Sequence, residues 1–270
     1  MNVQLKPTLR ELFAQGHRPV VGLWNSSASP VAAEIIAACG TELMLIDGEH
    51  GPIELREILA LLQAVEPYPT VPLVRVPWND AVRIKQVLDL GAQNLLVPMV
   101  SDAQEAAQAV GAARYPGQAG ERFGRRGMGA ALARSSRWGL VPNYIAEADS
   151  HVSITVQIEN AAGVRHAREI AEVDGVDAVF IGPADLAGAL GHPGNPSHPE
   201  VVEAVDATVR TVREAGTVVG VNAFHPADAD RVLAAGADFV VVGADVSLLA
   251  RGVVTALERL RPAENQPAQY

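Results

Sequence analysis

Eight short apolar runs, each followed by a stretch of helical periodicity, recur along the chain, and this alternation constrains the fold more than any other feature. The runs are VVGLWN (20–25), LMLID (43–47), VPLVRVP (71–77), NLLVPMV (94–100), SITVQIE (153–159), AVFIGP (178–183), VVGVNAF (218–224) and DFVVVGAD (238–245). They are continuous rather than alternating, as expected for parallel strands covered on both faces. Helix-period segments lie near residues 30–39, 53–65, 80–90, 102–113, 160–172, 198–215, 226–235 and 247–260. Several end in the glycine expected just past a helix: Gly40, Gly91, Gly216 and Gly236. Eight strand–helix units predict an α/β fold, the (β/α)8 TIM barrel. The competitor, a doubly wound open sheet, lacks a G-x-G-x-x-G after the first strand.

At 270 residues and 49% hydrophobic, the chain suits one domain over residues 1–261, with 262–270 (PAENQPAQY) reading as a disordered tail. A net charge of -10 argues against a nucleic-acid partner. No apolar stretch approaches the roughly 20 residues that span a bilayer, so no membrane partner is expected. The start, MNVQLKPTLRELFAQG, is too polar for a signal peptide and reads as a short helix stopped by Gly16. The expectation is a cytoplasmic protein. Cys39 is the only cysteine, which excludes an internal disulfide or a thiolate metal cage; it reads as buried packing.

The chemistry gathers at strand ends. Glu159 closes the fifth run and Asp185 follows the sixth, with Gln157 beside them. Side chains from the carboxyl ends of neighbouring parallel strands converge on one pocket, and two acids there suit a Mg²⁺-like cation with open positions for water and a chelating substrate. The alternative is that each acid caps the helix that follows it. Asp47, Glu49 and His50 end the second run, and His50 is either a general base or an ordinary surface or core histidine. Arg75, flanked by apolar residues, needs an anionic partner, in a structural salt bridge or as a carboxylate or enolate clamp. Backbone N–H groups of Gly182–Asp185 could hold a carboxylate at a helix start. Trp24 either walls the pocket or belongs to the core. Lys6 and Lys85 are the only lysines and neither stands at the carboxyl end of a strand, so a Schiff base has no suitable amine.

One stretch is irregular. Residues 115–139 carry Arg122, Arg125, Arg126, Arg134 and Arg137 with repeated glycine. Read as a long loop after a strand, it closes over an anionic substrate, contacts another subunit, or is a solvated surface loop.

In this order, the segments GLWNSSASP, LMLIDGEHGP, VRVPWND, QVLDLGAQNLLVPMV, RYPG, GMGAALARSSRWG, QIE, VFIGPADLAGALGHPGNPSHPEV and GADFVVVGAD resemble the HpcH/HpaI family of metal-dependent pyruvate aldolases. The resemblance covers almost the whole chain. It implies a TIM barrel assembled as a homo-hexamer, with Mg²⁺, Mn²⁺ or Co²⁺ held by Glu159 and Asp185. It also implies pyruvate held by Gln157, the backbone of Ala184 and Arg75; Asp47 and Trp24, at neighbouring strand ends, read as supporting residues. The matching histidine, His50, is the catalytic base, and Asp89 raises its basicity. Asp89 precedes a strand while His50 follows one, so only a neighbouring subunit could bring them together. The implied reaction is class II aldol cleavage of a 4-hydroxy-2-oxo acid to pyruvate, or a related 2-oxo acid such as hydroxypyruvate, and an aldehyde. Its rivals are a phosphate-binding TIM-barrel isomerase and a non-catalytic barrel used for binding or assembly. Asn25, Ser26 and Ser27 beside Trp24, with Asn222 and His225, are the departures noted against the family pattern.

Overall fold

The structure is a computed structural model that describes residues 4–16, 19–117 and 124–260. Its strands are β1 (Val20–Asn25), β2 (Leu43–Asp47), β3 (Val71–Arg75), β4 (Asn94–Val97), β5 (Ser153–Ile158), β6 (Ala178–Ile181), β7 (Val218–Asn222) and β8 (Phe239–Ala244). All neighbours pair in parallel, and β8 returns to β1 to close the barrel. The expected (β/α)8 TIM barrel is the observed fold. Around it run α1 (Leu9–Ala14), α2 (Pro30–Ala38), α3 (Leu55–Ala64), α4 (Ala81–Asp89), α5 (Ala103–Ala113) and α6 (Tyr144–Glu147). The remainder are α7 (Ala161–Arg165), α8 (Ala167–Ala171), α9 (Pro183–Ala189), α10 (Pro199–Glu214), α11 (Pro226–Ala235) and α12 (Asp245–Glu258). Among the described residues no helix is long and apolar enough to cross a membrane.

The unbroken apolar runs have a two-sided cause. Met44, Ile46, Val74, Leu95 and Ile181 pack outward in the cluster shared with the helices. Their chain neighbours Leu43, Leu45, Leu73, Leu96 and Phe180 fill the barrel interior. Helix starts are set locally: Ser29, Asp80, Asp102 and Asn160 each accept a hydrogen bond from the backbone three residues on.

The leading helix α1 does more than precede the barrel. A capping box of Thr8 and Glu11 starts it, and Leu9, Leu12 and Phe13 are buried with the interior cluster. The Leu9 backbone N–H donates to Asn94 Oδ1 at 2.8 Å, tying the helix to the first residue of β4. From Phe13 an aromatic series crosses the interior: Phe13 to Phe239 at 5.5 Å, Phe239 to Phe180 at 5.7 Å, and Phe180 to Trp24 at 6.3 Å. Gly220 makes room for it, since a Cβ there would stand 2.1 Å from Phe239 Cζ. Gly220→Ala is therefore expected to destabilise the barrel by about 1–3 kcal/mol, the scale of core overpacking. Urea unfolding checks this; an unchanged midpoint would show that Phe239 yields freely.

Three expectations need correction. The segment 160–172 is two short helices, α7 and α8, broken at His166, whose backbone leaves the helical region. Cys39 is exposed: it caps the carboxyl end of α2 and faces outward, whereas Ile36 and Ala37 take the buried side. The irregular stretch 115–139 follows α5 rather than a strand, so its described residues, 115–117 and 124–139, lie on the amino-terminal face of the barrel. Its Arg122 is outside the described residues, as is the proposed tail 262–270.

Candidate active site

The carboxyl ends of β2 and β3 are in register, with Asp47 opposite Arg75. Both are buried. Arg75 Nη2 and Nε lie 2.7 and 3.0 Å from Asp47 Oδ1, and Nη1 lies 3.0 Å from Glu49 Oε2. The guanidinium also stacks over the Trp24 ring, 4.3 Å from its centroid. Trp24 is fixed in turn by its Nε1–H, which donates to Asn222 Oδ1 at 3.0 Å. The salt bridge foreseen for Arg75 is thus present, and it holds the planar fork at the mouth of the barrel. Trp24 serves both readings, since it is buried in the core and forms the platform beneath Arg75.

Asp47 also builds the turn that carries His50. Its Oδ1 accepts from the backbone N–H of Glu49 and His50 at 3.2 and 3.1 Å. The turn is too tight for side chains at its glycines: a Cβ on Gly48 would lie 2.6 Å from Arg75 O, and one on Gly51 would lie 2.7 Å from Asp47 O. His50 projects outward, its side chain 63% exposed and its Nε2 4.0 Å from Glu49 Oε2. The imidazole therefore stands at the barrel mouth, open to solvent.

Across the mouth, Glu159 is buried at the end of β5. It does not cap the next helix, because Asn160 does so. Nor does Asp185 make a helix cap: the N-cap of α9 is Gly182, and Asp185 stands exposed in the first turn with Ala184. Glu159 Oε1 accepts from the Met99 backbone N–H at 2.8 Å, and Oε2 accepts from Gln157 Nε2 at 2.5 Å. Burial pushes the Glu159 carboxyl up to about 7, reinforced by the charges of Asp185 and Glu49 and opposed by the Met99 bond. Glu49 is also raised, first by burial, and repulsion from Asp47 and Asp185 adds to it against the pull of Arg75.

This is an electrostatic arrangement that wants a cation. Three acids influence one another across a small space, and Gln157 Oε1 is buried without a hydrogen-bond partner. Gly182 leaves the approach open, since a Cβ there would stand 2.7 Å from Glu159 Oε2 and 2.8 Å from Gln157 Nε2. The donors beside Glu159 are oxygens, of Asp185 and Gln157, which fits a hard divalent ion.

Two contributors carried no clear sequence signal. Met99 takes a left-handed backbone (φ +59°), unusual for a side chain with a Cβ, and that turn aims its N–H at Glu159. Asp245, at the start of α12, accepts from Asn25 Nδ2 at 3.0 Å, from the Ser26 N–H at 2.8 Å and from the Ser27 hydroxyl. It closes the β8–β1 seam, and Ser26 Oγ lies 3.4 Å from Asp47 Oδ2. The polar residues after Trp24 therefore brace the site from behind.

Asp89 is not brought to this cluster. It ends α4 on the opposite, amino-terminal face, where Arg126 Nη2 donates to its Oδ1 at 3.0 Å. Arg134 and Arg137 pair there with Glu66, at 2.8 and 2.5 Å. Arg126, Arg134 and Arg137 thus staple the far end of α3 and α4 and do not close over the chain's own site.

The family model for HpcH/HpaI aldolase/citrate lyase matches residues 20–252. The chain is 48% identical over 248 residues to 4-hydroxy-2-oxo-heptane-1,7-dioate aldolase of Salmonella arizonae, covering 92% of each. It is 50% identical over 235 residues to the protein of the same name from Klebsiella pneumoniae, covering 87% of each. A crystal structure of an HpcH/HpaI aldolase/citrate lyase family protein from Burkholderia cenocepacia superposes with a TM-score of 0.89 at 37% identity, covering 94% of this chain and 98% of that one. With the closed barrel and strand-end acids in place over that whole span, the chain belongs to the HpcH/HpaI aldolase/citrate lyase family.

Proposed function

We propose that the protein is a class II aldolase that reversibly cleaves a 4-hydroxy-2-oxo acid to pyruvate, or a related 2-oxo acid such as hydroxypyruvate, and an aldehyde. The observation that carries this is the buried Glu159, raised to about 7 and open to a cation, facing a fixed arginine fork across the barrel mouth. The names of the Salmonella and Klebsiella relatives favour a dicarboxylic substrate of the 4-hydroxy-2-oxo-heptanedioate type.

Glu159 and Asp185 would hold the ion, Mg²⁺, Mn²⁺ or Co²⁺, which when bound supplies Lewis-acid polarisation of the 2-keto oxygen. Gln157 and the backbone N–H of Ala184, in the first turn of α9 where such groups lack helical partners, bind the carboxylate. Arg75 donates to the keto oxygen, where charge accumulates as the C3–C4 bond breaks and the pyruvate enolate forms. His50 takes the proton from the 4-hydroxyl, whose C–O bond becomes the aldehyde carbonyl. Asp47 keeps the Arg75 fork and the His50 turn in one piece, and Trp24 supports the face of that fork.

A homo-oligomer, of which a hexamer is one form, is part of this proposal. Helix α12 has no buried residue and exposes Leu249, Val253 and Leu257, while Leu132 and Trp138 stand exposed on the Asp89 face. Apolar surface on that scale favours burial against other copies.

Metal removal tests the mechanism. EDTA treatment is expected to abolish pyruvate release, with Mg²⁺, Mn²⁺ or Co²⁺ restoring it. Borohydride with substrate is expected to leave the protein unlabelled, because Lys6 donates to Thr70 O and the Tyr68 carbonyl on the amino-terminal face and Lys85 lies on α4. Full activity after chelation, or covalent trapping at either lysine, would replace this mechanism with a Schiff-base route.

A further inference from the structure

The proposed chemistry uses no residue of HPGNPSHPE (192–200), which runs from the connector after α9 into the first turn of α10. Its chain turns back twice: the His192 N–H bonds to Ala187 O at 2.7 Å, Asn195 N–H to His192 O at 3.0 Å, and His198 N–H to Asn195 O at 3.1 Å. Gly194 takes the left-handed backbone needed between them (φ +76°). These turns stack the imidazoles of His192 and His198 with centroids 3.4 Å apart and planes 16° apart. Glu200, in the first turn of α10, completes the group: His192 Nε2 lies 2.9 Å from Glu200 Oε2. One ligand atom from each of the three side chains lies within 4.8 Å of the others, and among the described residues no other group of three does so.

We propose that His192, His198 and Glu200 form a second divalent-metal site, of the borderline type that takes Zn²⁺, Ni²⁺ or Cu²⁺, distinct from the oxygen-rich cluster around Glu159. Two nitrogens and one carboxylate are the donor set of such ions, whereas Mg²⁺ and Mn²⁺ prefer oxygen alone. Ligands of a tetrahedral Zn²⁺ stand about 3.3 Å apart for bonds near 2.0–2.1 Å, so the stacked rings of His192 and His198 must swing apart until a nitrogen of each points at one centre beside Glu200. Contact with His192 holds the Glu200 carboxyl below its usual range, which keeps it an anionic ligand. Three contacts are exchanged on binding: the 2.9 Å His192–Glu200 bond, the ring stack, and a 3.3 Å hydrogen bond from the Glu200 N–H to His198 Nδ1. Three protein ligands leave a fourth position for water or a small anion. The ion would tie the end of α9, which carries Asp185 in its first turn, to the start of α10.

The test uses the full chain without a histidine tag, titrated with Zn²⁺ in millimolar Mg²⁺ so that the oxygen-rich cluster is competed. One Zn²⁺ per chain is expected to bind with micromolar affinity and to raise Tm, as any ligand of the folded state does. His192→Ala and His198→Ala are each expected to weaken this binding by more than the ~10–100-fold lost with an outer-sphere partner. His198→Ala also removes a helix cap, so His192→Ala, which caps nothing, keeps the test decisive if the first fails to fold. A Glu159→Gln variant is expected to keep the full Zn²⁺ equivalent. Absence of Zn²⁺ uptake below millimolar, uptake unchanged in His192→Ala, or uptake lost with Glu159→Gln would each overturn the second site.

Discussion

Arg75→Lys is expected to lower kcat at least ~100-fold, about 2.7 kcal/mol, the scale of removing one preorganised oxyanion donor. The substitution keeps the positive charge and discards the geometry. Arg75 uses Nε and Nη2 on Asp47 and Nη1 on Glu49 while its plane lies on Trp24. An ammonium offers a point charge on a flexible stem and matches neither the fork nor the stacking. It would settle on Asp47 or Glu49 and leave the other acid buried and unpaired, beside an already crowded set of carboxylates. A stability loss is therefore expected as well, and kcat per folded molecule is the quantity to measure. Unchanged kcat with reduced stability would assign Arg75 to the structural ion pair alone. Lost kcat with metal affinity retained would assign it to the enolate.

Strand placement was legible because covered parallel strands must be apolar on both faces, and every run from Val20 to Ala244 became a barrel strand. The acids and Arg75 were legible for a related reason: a charge at the end of such a run has nowhere to go but the mouth. What stayed hidden depends on backbone geometry or on neighbours distant in sequence. Met99 acts through its N–H and a left-handed turn, which no side-chain pattern encodes. The plugging role of α1 needs the closed barrel before Phe13 has an interior to fill. Cys39 was misjudged because an apolar run predicts burial only for the face turned inward, and the helix had already ended. The arginine-rich stretch was misplaced because a long α5 ends before it, putting Arg126, Arg134 and Arg137 at the opposite end of the barrel from the acids.

Mixing two impaired proteins is expected to regenerate activity, and this is the strongest test of how His50 is served. His50→Ala alone is expected to lose ~10²–10⁴-fold, the usual contribution of a general base. Asp89→Asn is expected to lose about 10-fold or more if its carboxylate tunes that base, the scale of an outer-sphere partner. Within one chain the two residues stand at opposite ends of the barrel, and Asp89 is engaged by the buried Arg126. Asparagine preserves an acceptor for that guanidinium but removes its counter-charge, so a stability loss is expected too and activity is read per folded molecule. The exposed Leu132 and Trp138 beside Asp89 mark the face on which a neighbour would dock. If one subunit's Asp89 serves another's His50, a randomly reassembled equal mixture contains about a quarter of sites with both residues intact, as closed symmetric assembly requires. Activity would then rise above the mean of the two parents and track subunit exchange. Exchange proven by mass-tagged chains without any rise would confine Asp89 to its ion pair with Arg126.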